Sequence, residues 1–211
     1  MIGDYHWAGG REALLRFGPD HGPVVVLLLP FFEEYNRTRA FGVAILRALE
    51  KRGIAGVLPD LPGFADSLVD TEKLVLANLQ QAVLDLVASL ASPVFSAAIR
   101  SAALIDAPAP ARWRLSPQTG AELAREIKRL RALGDGVTVA GNAVSDAFVQ
   151  SLETATLAPG QRTVRLDSDP APADLKLPGA PLWRLAEPGD DPDLAELLAA
   201  DIAEWIAACA G

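Results

Sequence analysis

The sequence predicts an α/β fold: a mostly parallel central sheet with helices on both faces. Three observations carry this prediction. Apolar runs without alternation lie at Val24 to Leu29, Ile54 to Leu58 and Val94 to Ala98, helical patterns separate them, and the connections are short. A strand that is apolar on both sides is covered on both sides. Strand and helix in alternation imply right-handed crossovers and parallel pairing. The chain has 211 residues, half of them apolar, which suits one well-buried domain over residues 1–211.

The elements follow in order. Tyr5 to Trp7 and Ala13 to Phe17, joined through Gly9-Gly10, read as a hairpin whose glycines supply positive φ. The strand Val24 to Leu29 leads through a loop, Pro30 to Arg37, into a helix from about Thr38 to Arg52. That helix carries Phe41, Ile45, Ala48 and Leu49 on one face and ends at Gly53. The strand Ile54 to Leu58 is followed by a loop to Ser67 and a helix from about Asp70 to Leu90, with Leu74, Leu79, Val83, Leu86 and Leu90 inward. A third strand, Val94 to Ala98, enters a sharp turn. Arg112 to Leu115 is a short strand, and Thr119 with Glu122 forms a capping box before a helix rich in Arg and Lys. Val137 to Ala140 is extended, Ser145 caps a helix to about Leu157, and Thr163 to Leu166 and Pro181 to Leu185 are late strands. Asp191-Pro192 opens a closing helix with Leu194, Leu197, Leu198, Ile202 and Trp205 toward the sheet.

Composition excludes several classes. A net charge of −8 argues against nucleic acid, whose backbone is bound by clustered Lys and Arg. Arg125, Lys128, Arg129 and Arg131 crowd one helix; they read as a solvated face, with an acidic partner as the alternative. No apolar run approaches the ~20 residues that cross a bilayer. The N-terminus lacks a basic region followed by an apolar stretch, so a cytoplasmic protein is expected. The one cysteine, Cys209, has no partner for a disulfide or a metal site. Asp60, Asp66 and Asp70 are not accompanied by His or Cys, and no metal or other cofactor is expected.

The chemistry concentrates at Ala98-Ile99-Arg100-Ser101-Ala102. A strand running into small-x-Arg-x-small has the outline of a nucleophile elbow, whose flanking positions must be small because the turn brings their backbones together. Arg100 occupies the nucleophile's place. A guanidinium stays protonated, so it binds anions and donates hydrogen bonds but cannot attack a carbonyl. The competing reading is an Ala-rich helix with one Arg on it. Neither histidine suits a triad: His6 lies in the opening hairpin, and His21 precedes a strand whose length puts it about 20 Å from the carboxyl edge. Glu187 stands in the usual histidine slot. Ser101, without an imidazole, is a weak nucleophile and reads as a helix N-terminal serine; Ser96 lies inside a strand.

The loop Pro30-Phe31-Phe32-Glu33-Glu34-Tyr35-Asn36-Arg37 and the elbow together resemble the α/β-hydrolase superfamily, and within it the group called exosortase A system-associated hydrolase 2. Leu58-Pro59-Asp60-Leu61-Pro62-Gly63, Leu115-Ser116-Pro117 and Val139-Ala140-Gly141-Asn142 extend the likeness. The chain has Ala98 and Ala102 where that group has Gly. The resemblance implies an α/β-hydrolase fold with a minimal lid or none, an Arg at the elbow as a shared trait, and a setting in bacterial exopolysaccharide production and protein sorting. It does not grant the chemistry, because function lives in the site.

Arg100, Ser101, Glu33, Glu34, Asn36, Arg37 and Glu187 form the candidate cleft, with Asp167 or Asp169 as further carboxylates. One reading makes them a buried Arg–carboxylate cluster that rigidifies an old active site. The other makes them a pocket for an anionic or carbohydrate-related ligand, Arg100 standing where a helix dipole also favours negative charge. The leading functional expectation is a non-catalytic or altered hydrolase-fold protein. An active hydrolase using these carboxylates to activate water is the alternative. A structural subunit docking as a homodimer or on a protein partner is a third.

Overall fold

The computed structural model describes residues 1–134, 136–139 and 141–210. Strands β1 (Ile2–Trp7), β2 (Gly10–Phe17), β3 (Val24–Leu28), β4 (Ala55–Pro59), β5 (Val94–Ile99), β6 (Ala111–Leu115), β9 (Arg162–Leu166) and β10 (Leu175–Leu177) form one sheet in the order β1-β2-β4-β3-β5-β6-β9-β10. β2 pairs antiparallel with β1 and β4, and every other pairing is parallel. Helices α1 (Glu33–Glu50), α2 (Leu76–Ser89), α3 (Gly120–Leu133), α4 (Asp146–Thr154) and α5 (Pro192–Ala210) cover both faces, with α1 and α5 packed against each other. Among the described residues, no helix is long and apolar enough to cross a membrane.

The apolar runs behave as their pattern requires. All residues of β3, β4 and β5 are buried, which is the environment that continuous hydrophobicity demands. α5 covers β5 and β6 through an edge-on contact of Trp205 with Phe95 and through Asp201, which accepts a hydrogen bond from Trp113 Nε1 at 2.7 Å. Both expected caps form: Thr119 and Glu122 complete a capping box on α3, and Ser145 Oγ accepts from Phe148 N at 3.1 Å on α4.

Several expectations are corrected. α1 starts at Glu33, not near Thr38; it follows Phe32 without a side-chain cap, and the Thr38 hydroxyl donates to Glu34 O at 2.7 Å inside the helix. α2 starts at Leu76, after a separate 3₁₀ turn over Thr71–Lys73. α4 stops at Thr154. Pro181 to Leu185 is not a strand: Leu182–Arg184 is a 3₁₀ turn, and the edge strand is β10. A small antiparallel hairpin pairs β7 (Thr138–Val139) with β8 (Asn142–Ala143), and Ala140 lies outside the described residues. Leu197 is 42% exposed and not directed at the sheet. In the first hairpin, Gly10 has positive φ, whereas Gly9 is required by packing, since a Cβ there would stand 2.2 Å from the Trp7 ring.

Register decides where the chemistry goes. β3, β5, β6 and β9 run parallel and side by side, with Leu28 opposite Ala98, Ile99 opposite Leu115 and Leu115 opposite Val164. The segments after these strands, from Phe31, Arg100, Ser116 and Asp167 onward, therefore line one carboxyl edge. In open α/β sheets that edge is where ligands bind.

Candidate functional site

The elbow is real. β5 ends at Ile99, Arg100 has φ 57°, and a 3₁₀ turn continues from Arg100 to Leu104. Left-handed backbone at a long side chain is uncommon, and it persists only where the surroundings dictate it. Ala98 and Ala102 are fully buried at the tight passage, as their small size permits.

The Arg100 side chain is 16% exposed. Its Nε and Nη2 donate to the two Glu34 carboxylate oxygens, each at 3.4 Å, and its guanidinium lies 5.4 Å from the centroid of the Trp183 ring. This is a long, loose ion pair on an aromatic floor. A guanidinium has five N–H groups, and the others meet no acceptor among the described residues. Burial raises the Glu34 carboxyl above its ordinary value, and the adjoining Arg100 offsets part of that rise.

Glu33 and Arg37 belong to the first two turns of α1. Arg37 Nη2 pairs with Glu33 at 2.6 Å, and Nη1 donates to Trp183 O at 3.1 Å, so Arg37 ties α1 to the turn that carries the indole. The two acidic residues in the first turn favour the positive end of the helix. Phe32 precedes them at φ 56°, held by ring contacts with Phe31, Phe64 and Phe148.

Ser101 is buried, and its Oγ accepts a hydrogen bond from Phe31 N at 2.9 Å. In related folds, a backbone N–H of this loop serves the oxyanion hole. Here the Phe31 N–H is already used by the side chain beside the elbow apex.

These groups surround a cavity of about 480 Å³. One wall is apolar, built from Phe31, Phe32 and Leu123, Ile127 and Leu130 of α3; the rest is mostly charged, with Glu33, Glu34, Arg37 and Arg100 joined by Glu126, Arg129 and Arg184 beside Ser101, Val139 and Trp183. A second cavity of about 180 Å³ shares Arg100, Trp183 and Arg184 with the first and is otherwise lined by Ser116 after β6, by Leu166, Ser168, Asp169 and Pro170 at and after the end of β9, and by Pro181.

The structure thus brings together Arg100, Ser101, Glu33, Glu34 and Arg37. It does not bring in Asn36, which is exposed on α1, or Glu187, which is exposed beyond the 3₁₀ turn; neither lines the cavity. The place expected for Glu187 is taken by Trp183, because the chain turns at Leu182–Arg184 where a strand was expected. Asp167 is exposed, and Asp169 pairs with Arg165 at 2.6 Å and reaches only the smaller cavity. His6 and His21 are exposed, and neither lines the main cavity. Asp60 is buried and accepts from Tyr35 Oη at 2.8 Å and Arg39 Nη1 at 2.5 Å, while Asp70 pairs with Lys73 on the surface.

Sequence reasoning missed Trp183, Glu126, Arg129 and Arg184. For α3 a signal existed. Its period places Glu126 and Arg129 beside Leu123, Ile127 and Leu130 at the cavity, while Arg125, Lys128 and Arg129 remain exposed, as a solvated face requires. Lys128 and Arg131 instead reach Glu153 and Asp146.

No family model and no curated protein matches the chain by sequence. Solved structures do. Alpha/beta hydrolase domain-containing protein 10 from mouse superposes with a TM-score of 0.68 at 14% identity, covering 99% of both chains. Est1E from Butyrivibrio proteoclasticus gives 0.67 at 16% identity over 98% of this chain and 99% of its own. The chain also spans 38% of the length of epoxide hydrolase VrEH1 from Vigna radiata, with 55% of its own residues at 23% identity and a TM-score of 0.45. At 14 to 16% identity over whole chains, what is shared is architecture, and that architecture is the α/β-hydrolase fold.

Proposed function

We propose that this chain is a binding protein built on a hydrolase fold, holding an anionic, carbohydrate-related ligand in the cavity around Arg100, and that it carries out no acyl transfer at the elbow. The observation that carries this reading is the state of the Arg100 guanidinium. It stands at the elbow apex inside a cavity, met by one carboxylate at 3.4 Å instead of a closed ring of them. A rigidifying cluster would saturate the guanidinium; here donors are left for a ligand. The oxyanion-hole argument supports it as well, since the Phe31 N–H is engaged by Ser101. The resemblance in the Glu-Glu-x-Asn-Arg loop supports a setting in exopolysaccharide production and exosortase-linked sorting.

Titration calorimetry with glucuronate tests the reading. Binding by the wild-type chain that falls more than tenfold in Arg100→Gln, together with no labelling by a fluorophosphonate probe, is the expected result. Stoichiometric labelling of Ser101 would sink it.

One observation favours a second reading. Glu34 is a cavity carboxylate whose pKa burial raises, which is the property a general base needs. Turnover of p-nitrophenyl acetate that disappears in Glu34→Gln would replace binding by carboxylate-assisted hydrolysis.

A further inference from the structure

The two cavities at the carboxyl edge are not independent, because the Arg100–Trp183 stack stands between them and belongs to the lining of both. Their chemistry differs. The larger has an extended apolar wall and mixed charge, the carboxylates of Glu33, Glu34 and Glu126 against the guanidiniums of Arg37, Arg100, Arg129 and Arg184. The smaller presents two guanidinium-bearing residues, Arg100 and Arg184, against one carboxylate, Asp169. That carboxylate is already occupied: it pairs with Arg165 at 2.6 Å and accepts from Ala171 N at 3.0 Å. The two linings carry the same formal excess of one guanidinium, which the smaller cavity holds in about 180 Å³ and the larger in about 480 Å³.

The smaller cavity also holds unmet hydrogen-bonding capacity. Ser116, which follows β6 and is 1% exposed, has an Oγ with no partner. Trp183, 4% exposed, has an Nε1–H with no acceptor. Buried polar groups are rarely left unpaired, and each one so left costs stability that a ligand recovers on binding. An indole N–H and guanidinium N–H groups only donate, and a hydroxyl can donate. A ring of donors around a small, net positive cavity calls for an acceptor that carries negative charge.

We propose that the smaller cavity is an oxyanion subsite, taking a carboxylate, sulfate or phosphate group on Ser116, Trp183 and Arg100, while the larger cavity takes the body of the same ligand across the Arg100–Trp183 partition. This rests on the binding function proposed above and specifies which lobe reads the charge. The ligand class is a saccharide-sized molecule with one terminal oxyanion.

The test is calorimetric titration of the full chain with sodium sulfate, inorganic phosphate and glucuronate at constant ionic strength, with melting curves to verify folding. Ser116→Gly removes the hydroxyl and suits the φ of 44° at that position, and Ser168→Phe fills the smaller cavity from its exposed side. Leu130→Trp fills the larger one. The expected results are sulfate and phosphate binding weakened about 5- to 10-fold by Ser116→Gly, as for one lost hydrogen bond, and abolished by Ser168→Phe. Leu130→Trp should leave sulfate binding unchanged and weaken glucuronate. Should Ser116→Gly not fold, Ser168→Phe decides alone. Sulfate binding that survives Ser168→Phe but fails in Arg100→Gln or Leu130→Trp would put the anion in the larger lobe, overturning the subsite and leaving the binding function standing. If the wild-type chain binds none of the three probes, both fall.

Discussion

Arg100 is costly to keep where it is. Its backbone sits in a region that a residue with a Cβ rarely adopts, and its charge is largely removed from water. Glu34 offsets the charge, yet Glu34 itself is penalised by burial, so its folded pKa lies above the ordinary value near 4.5. For such a group the folded state prefers the protonated form. Its contribution to stability is complete below the ordinary value and is lost as pH rises through the folded one. Protonation also removes the counter-charge from Arg100, and an anion bound at Arg100 would favour that proton in turn. Anion affinity should therefore rise as pH falls through the raised folded pKa of Glu34, by at most about tenfold per pH unit for one linked proton. Glu126, which faces the same cavity, adds to the rise of Glu34, while Glu33 is tied to Arg37. Calorimetry at several pH values checks this, and Glu34→Gln should flatten the dependence while raising affinity above the pH at which Glu34 ionises. A slope unchanged in Glu34→Gln would assign the linked proton elsewhere.

Between the elbow and β6, a second Arg–carboxylate pair holds the loop that connects them. Arg114 Nε and Nη2 bind the two oxygens of Asp106 at 2.6 and 2.8 Å, both side chains nearly inaccessible. Removing one partner leaves a buried charge, so Asp106→Ala should cost about 3–5 kcal/mol in urea unfolding, whereas Asp106→Leu with Arg114→Met should recover most of it. The contrast with Arg100 is instructive: bidentate and closed here, loose and open there, although the sequence offers only an Arg and an Asp or Glu in each case. Strands such as β5 were legible because six consecutive buried residues leave a pattern in the sequence. The Ala98 to Ala102 spacing announced the elbow for the same reason, since sterics at a tight turn constrain residue size. The first turn of α1 was not legible, because it follows Phe32 with no side-chain cap to mark its start. Leu182–Arg184 was not either: a short apolar run is compatible with a strand or a turn, and only the packing of Trp183 under Arg100 decides. Glu33, Glu34 and Glu187 were all expected around Arg100; Glu34 meets it, whereas the turn at Leu182–Arg184 puts Trp183 there and leaves Glu187 outside the cavity.

Across the whole molecule, one core joins the sheet, both helical layers and the floor of the site. Phe148 of α4, fully buried, touches the rings of Phe31 and Phe32, and those two residues set the entry of α1 that presents Glu33 and Glu34 to the cavity. Gly120 at the start of α3 allows the close approach to α4 that makes this possible, since a Cβ there would stand 2.1 Å from Leu152 O. Global stability and ligand affinity should thus be coupled through α4, far from any charge. Truncation in Phe148→Ala should cost about 3–5 kcal/mol, the usual range for an aromatic core residue, and should keep one cooperative transition in which far-UV circular dichroism and tryptophan fluorescence coincide. Glucuronate binding should weaken in the same variant even at temperatures where it is fully folded, because the Phe31–Phe32 turn loses its support. Wild-type affinity in folded Phe148→Ala would mean that the α1 entry is fixed by the Arg37 bridge to Trp183 O alone, and Arg37→Met would then be the variant that loosens the site.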